Sequence, residues 1–236
     1  MAVIVFGAGG GLGQALVNAL LDAQLTDQVF AVSRQPVRFA DERVHSQRVD
    51  NYEPEALAPL QAAWQQTQIS GVLSAIGLLH TADYQPEKRL AELNLAQLQH
   101  QFTVNAALPM LLLQQTLPLL PTKSPSFWVQ LSAMVGSITD NKLGGWYSYR
   151  ASKAALNMLI KTTAIELART HKQLAVAAIH PGTTDTALSK PFQARLPADK
   201  LYSPAQSAAR IVDVIQHLTP AQSGGLFHWD GTSLPY

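Results

Sequence analysis

The chain has no cysteine in its 236 residues, which excludes a disulfide framework and any thiolate metal site. It also lacks an excess of either charge. The 17 Lys and Arg against 16 Asp and Glu leave a net +1, so no global field draws the protein to nucleic acid or to an anionic membrane. Neither partner is expected, and small neutral molecules are favoured. The seven histidines are scattered singly, without the paired spacing of a helical zinc motif, so no metal is assigned. Long apolar runs are missing as well. The most apolar helical stretch, 106–120, is interrupted by Pro109, Gln114, Gln115 and Pro118 and is too short to span a bilayer. Met1-Ala2 leads straight into Val3-Ile4-Val5-Phe6 with no basic segment or cleavage site, so a cytoplasmic protein without an export signal is expected.

What the chain does have is a hydrophobic fraction of 47%, enough for a substantial core. Strand-like runs at 2–6, 29–33, 44–49, 69–75, 126–131, 175–179 and 226–229 alternate with helical patterns at 12–23, 55–66, 95–119, 148–170 and 204–217. Several of the runs are apolar on successive residues, as strands covered by helices on both faces require. Alternating β and α predicts a Rossmann-type, doubly wound α/β sheet of about seven mostly parallel strands. One domain over 1–236 is expected, with no repeat and no low-complexity linker.

The first strand runs into Gly7-Ala8-Gly9-Gly10-Gly11-Leu12-Gly13 and then into an amphipathic segment from Gln14. Glycine lets the backbone turn sharply and approach a pyrophosphate, and the N–H groups of a helix start favour the phosphate charge. After the second strand stand Ser33 and Arg34. An acid there would read a free ribose hydroxyl; a cation reads a 2′-phosphate. NADP(H) is therefore preferred, with NAD(H) as the alternative cofactor. Asp50, after the third strand, is a candidate acceptor for the adenine amino group.

Tyr149 and Lys153 stand four residues apart at the start of a helical segment, on one face. A free tyrosine titrates near pH 10, and a lysine cation beside it favours the phenolate. With six tyrosines and eight lysines in the chain, chance alone gives about 0.2 such pairs, so the spacing needs support from elsewhere. Ser74-Ala75-Ile76-Gly77 after the fourth strand, Asn105 in the next helix and Pro181-Gly182-Thr183-Thr184-Asp185-Thr186 after the sixth provide it. In this order, with the glycine loop, they resemble the short-chain dehydrogenase/reductase family over nearly the whole chain. The segment from Gly144 to Asn157 is most similar to its short carbonyl-reductase and C-factor-like branch.

The resemblance implies an oxidoreductase in which Tyr149 gives a proton to a carbonyl oxygen as hydride reaches the carbon, an aldehyde or ketone becoming an alcohol. Lys153 would hold the nicotinamide ribose and lower the tyrosine pKa. Asn105 would bend its helix and anchor a water. Ala75, Gly77, Pro181, Gly182, Thr184 and Thr186 would line the cofactor, and a loop near 186–200 would cover substrate. The two long helical segments would pair copies into a homodimer or homotetramer.

Two departures from the family pattern stand out. Phe6 replaces the threonine that normally precedes the first glycine. The substrate-polarising serine, three residues before Gly136, is here Ala133. Ser132 is assigned the role, with Ser137 as the other candidate, although Ser132 reaches the carbonyl only if the strand end is bulged. A second reading is a sensor that binds NADP(H) without turnover. Arg150 and Ser152, off the Tyr149 face, are expected at solvent or an interface.

Overall fold

A computed structural model describes residues 1–195 and 197–236. The strands are β1 (Ala2–Phe6), β2 (Gln28–Ser33), β3 (Val44–Arg48), β4 (Ile69–Ser74), β5 (Ser126–Leu131), β6 (Leu174–His180), β7 (Thr183–Thr184), β8 (Leu201–Tyr202) and β9 (Leu226–His228). The helices are α1 (Gly11–Asp22), α2 (Pro54–Gln65), α3 (Leu95–Phe102), α4 (Leu108–Thr116), α5 (Tyr147–Leu167) and α6 (Pro204–His217).

Seven described strands form one sheet in the order β3-β2-β1-β4-β5-β6-β9, every pairing parallel. The predicted doubly wound sheet is the observed one. Residues of α1 and α6 pack on one face, around Leu16, Leu20 and Ile211. Those of α2, α4 and α5 pack on the other, around Trp64, Leu112, Leu156 and Ile160. Covered on both faces, β1 is buried at every position, which explains its unbroken apolar run. β3 is the exception: it is an edge strand with no fully buried residue.

Strand order reverses between β1 and β4, so their carboxyl ends diverge into a crevice. A second, two-stranded pairing joins β7 to β8 and closes the base of the segment between them. That segment is the predicted substrate loop, of which Leu196 lies outside the described residues.

Candidate active site

The glycine loop forms where β1 ends. Gly7 takes φ +76°, a left-handed conformation that side chains resist. A Cβ at Gly13 would lie 2.1 Å from the Gly7 carbonyl oxygen, so only glycine lets the helix start pack on the loop. α1 begins after Gly10 with no side-chain cap and no acid in its first turn, which leaves its first N–H groups directed at the crevice. Beside the loop, a Cβ at Gly9 would lie 3.2 Å from the Ser33 side chain, whose hydroxyl donates to the Gln35 carbonyl at 2.5 Å. Arg34 is exposed. Asp50 is exposed too and lies 3.6 Å from Arg48. Phe6 has turned into the core, edge-on to Tyr52 and Trp64, so apolar packing occupies the place of the missing hydroxyl.

Tyr149 and Lys153 project from the first two turns of α5 and are both buried. The Lys153 ammonium lies 5.9 Å from the Tyr149 ring centroid and donates to the Leu131 carbonyl at 3.0 Å. Burial pushes the Tyr149 hydroxyl above its ordinary pKa and brings Lys153 down to about 7. Burial thus opposes the lowering of the tyrosine that the sequence led one to expect. Desolvation opposes charge on both groups, and a lysine that has itself lost much of its charge cannot offset it.

Asn105 lies in a π turn, Thr103–Ala107, between α3 and α4. Pro109 has no N–H to offer the carbonyl four residues back, that of Asn105. The helix widens instead, and the Leu108 N–H bonds Thr103, five back. The Asn105 side chain accepts from Leu78 N–H at 2.7 Å and donates to the Leu78 carbonyl, Gln101 and Ser152. Ser152 is buried and donates to the Tyr149 carbonyl, contrary to the surface role expected of it. Arg150 is half-buried and donates to the carbonyls of Gly144 and Gly145, in the left-handed loop before α5, and to that of Val135.

Ser132 lines the crevice, but its hydroxyl donates to Asn157 at 2.8 Å. β5 keeps register with β6 up to Leu131, and the Ser132 N–H continues the ladder to the Ile179 carbonyl. Ala133 lines the cavity where the family's serine would stand. Ser137 is buried and accepts from the Asp140 N–H; it is not among the lining residues.

These elements enclose a cavity of about 590 Å³, in the range of cofactor and substrate sites. One end is formed by Gly10, Gly11, Leu12 and Gly13, with the Thr186 side chain 3.5 Å from where a Gly11 Cβ would be. Ala75, Gly77, Pro181, Gly182 and Thr184 also line it, as do Leu79, Ala133, Trp146, Tyr149 and Phe192, which pack together. Trp146 and Phe192 face each other with ring centroids 5.0 Å apart. His180, one residue before Pro181, also lines the cavity, and its Nδ1 is buried without a partner among the described residues. Burial, then His228 and Lys153, bring its pKa to about 3. Sequence reasoning passed over His180, although its place at the end of β6 beside the Pro-Gly turn was visible.

Residues 1–197 match the family model described as short chain dehydrogenase. The chain belongs to the short-chain dehydrogenase family. A 1-hydroxy-2-glutathionyl-2-methyl-3-butene dehydrogenase of Rhodococcus sp. (strain AD45) is 40% identical over 107 residues, 45% of each chain. The C-signal of Myxococcus xanthus is 31% identical over 147 residues, 62% of this chain and 83% of that one. The match thus spans less than half of the Rhodococcus relative. An NADPH-bound carbonyl reductase from chicken fatty liver has the same fold, with a TM-score of 0.83 over 100% of this chain and 94% of that one at 22% identity.

The site's own residues fit the dinucleotide that this family uses. The loop offers free backbone N–H groups in a cradle that a side chain would fill. No Asp or Glu lies among the described lining residues to repel a phosphate.

Proposed function

We propose that the protein reduces an uncharged aldehyde or ketone to an alcohol with NADPH, with Tyr149 as the proton donor. The observation that carries this reading is the buried Tyr149–Lys153 pair on the wall of a cavity whose far end is a phosphate cradle. Bound NADPH would supply the hydride. Gly9 to Gly13, Ser33, Arg34, Asp50, Ala75, Gly77, Pro181, Gly182, Thr184 and Thr186 would hold the cofactor. Arg34, exposed and with no ion pair found among the described residues, would take the 2′-phosphate with paired hydrogen bonds. The NADPH in the chicken reductase supports that choice.

Burial keeps the Tyr149 hydroxyl protonated near neutral pH, the state a donor to a carbonyl oxygen needs. Lys153 would bind the nicotinamide ribose with the donors not used on Leu131. Asn105 would hold the π turn open beside it. With Ser132 engaged by Asn157 and alanine at 133, polarisation of the carbonyl falls mainly to Tyr149. Ser132 could contribute only by releasing Asn157. The apolar end excludes charged substrates, since transferring an ion there without a partner is costly. Residues 1–236 would act as one unit, with the 186–200 segment covering substrate. Leu111 on α4 and Met158 and Ile165 on α5, 50%, 66% and 58% exposed, would pair copies into a dimer or tetramer, which sedimentation velocity would read directly.

The test is NADPH oxidation over aldehydes, ketones and quinones, with NADH in parallel. Turnover that falls by about 10²–10⁴ in Tyr149→Phe is expected. NADPH binding with no turnover across the panel would favour the sensor reading, and a Tyr149→Phe variant as active as wild type would remove Tyr149 from the reaction.

A further inference from the structure

Glu87 is 2% exposed, although every residue from Lys88 to Ala96 is exposed. No ion pair involving it is found among the described residues. Its side chain is instead spent on the start of α5, 61 residues further on. One carboxylate oxygen accepts from the Ser148 hydroxyl and the other from the Ser148 N–H at 3.2 Å. The Glu87 carbonyl accepts from the Trp146 N–H. One residue thus binds both sides of the first turn of the helix that carries Tyr149.

That helix has no cap of its own. Trp146, at the N-cap position, has no side-chain oxygen, sits in the left-handed region at φ 51°, and is followed by a first turn without an acid. It ends a run of three left-handed residues that begins with Gly144 and Gly145. A bulky residue there costs on the order of 1–2 kcal/mol and persists only where surrounding contacts impose it. An acceptor brought in from another part of the chain satisfies the open N–H group, and negative charge is favoured at a helix start.

The segment that delivers Glu87 is itself fixed. Gln97 donates to the Gln85 carbonyl at 3.1 Å, Gln101 to the Leu79 carbonyl at 2.8 Å, and Asn105 grips both backbone groups of Leu78. These three amides are four residues apart along α3 and the π turn and are all buried. Hydrogen bonds therefore tie α3 and the π turn to residues 78, 79 and 85, and Glu87 ties the same segment to Ser148, the neighbour of Tyr149. Trp146, whose ring lies 6.1 Å from that of Tyr149, is set by the same contact.

We propose that Glu87 is a positioning residue for the reaction: it caps the helix of Tyr149 from outside and fixes Tyr149 and Trp146 at the cavity wall. Its effect on turnover rests on the role proposed above for Tyr149; its effect on the helix start does not. The experiment compares Glu87→Ala, Glu87→Gln and Ser148→Ala with wild type. Amide hydrogen exchange across residues 146–150, NADPH affinity by fluorescence, and kcat and KM with the best carbonyl substrate are read on each.

Glu87→Ala is expected to speed exchange at 147–149 by about tenfold or more. It lowers kcat by about 100-fold, as a misplacement of the order of 1 Å does, with KM and NADPH affinity within about twofold. Glu87→Gln keeps an acceptor oxygen for Ser148 and recovers most of both losses. Ser148→Ala gives the same pattern in smaller measure and carries the test if Glu87→Ala does not fold. Unchanged exchange and kcat in a folded variant overturn the proposal. So does a loss shared by KM and NADPH affinity, or a Gln variant no better than Ala. If wild type reduces no carbonyl, the reductase reading fails separately, and exchange alone decides whether Glu87 holds the turn.

Discussion

Lys153 is 2% exposed and donates to a main-chain carbonyl, not to a carboxylate. Burial lowers its pKa from 10.5 to about 7. In the unfolded chain the same amine keeps its proton up to about pH 10.5. Between the two values the unfolded state binds one more proton, so stability rises with pH across that window. The cost of burying the ammonium is greatest below about pH 7. Replacing Lys153 with Met removes the ionisable group and keeps a chain of similar length. Without cofactor, Lys153→Met is expected to be more stable than wild type at pH 6 by a few kcal/mol, about the size of the shift less one lost hydrogen bond. The gap should close towards pH 10, while activity is lost. Denaturant titrations at the two pH values check this; a variant less stable than wild type by the same amount at both would show that the lysine is not held at a cost. The role proposed for Lys153 would thus be kept at a cost in stability, as active sites commonly require.

At the scale of elements, the glycine loop is held by a contact that the sequence motif implies and the structure measures. A Cβ at position 13 would meet not only the Gly7 oxygen but also Gly7 C at 2.9 Å and Ala8 Cα at 3.0 Å. All are backbone atoms that cannot rotate away. Gly13→Ala is therefore expected to weaken NADPH binding by about 100-fold or more and to destabilise the fold by about 2 kcal/mol or more. Isothermal titration and thermal melts read the two effects, and an alanine variant with wild-type affinity would show that the loop yields. The sheet, its helices and this loop were legible because each repeats a pattern over many residues. The break in the long helix was legible only through the family resemblance, which implied a bend at Asn105. A 3.6-residue apolar pattern over 95–119 runs on past a single inserted residue, although Asn105 followed four residues later by Pro109 was a usable signal. β7 and β8, two residues each, are too short to carry a period. Strand alternation alone set Ser132 apart from Ala133, whereas its bond to Asn157 was not legible. The place of Glu87 was not, since a glutamate beside Lys88 and Arg89 reads as solvated until the partner 61 residues away is brought to it.

At the scale of the molecule, the crevice lies where the sheet divides between β1 and β4. Its lining is drawn from the ends of β1, β4, β5 and β6 and from α5, so a ligand there ties together parts of the chain that are distant in sequence. Binding to the folded state alone adds about 2.7 kcal/mol when free ligand is at 100 times Kd. For a chain of this size that is a rise in melting temperature of roughly 5–10 °C. The two nicotinamide cofactors separate the contribution of Arg34 from that of the loop. Both should meet the glycine cradle in the same way, whereas only NADPH carries the 2′-phosphate proposed for the exposed guanidinium. At equal concentration NADPH is expected to raise the melting temperature more than NADH, and Arg34→Ala to reduce the NADPH shift to about that of NADH while leaving the NADH shift unchanged. Because the contact is exposed and charge-assisted, the NADPH advantage should also shrink as salt is raised from about 0.05 to 0.5 M. Equal shifts for the two cofactors in wild type, or an Arg34→Ala variant that keeps the NADPH advantage, would place the 2′-phosphate elsewhere.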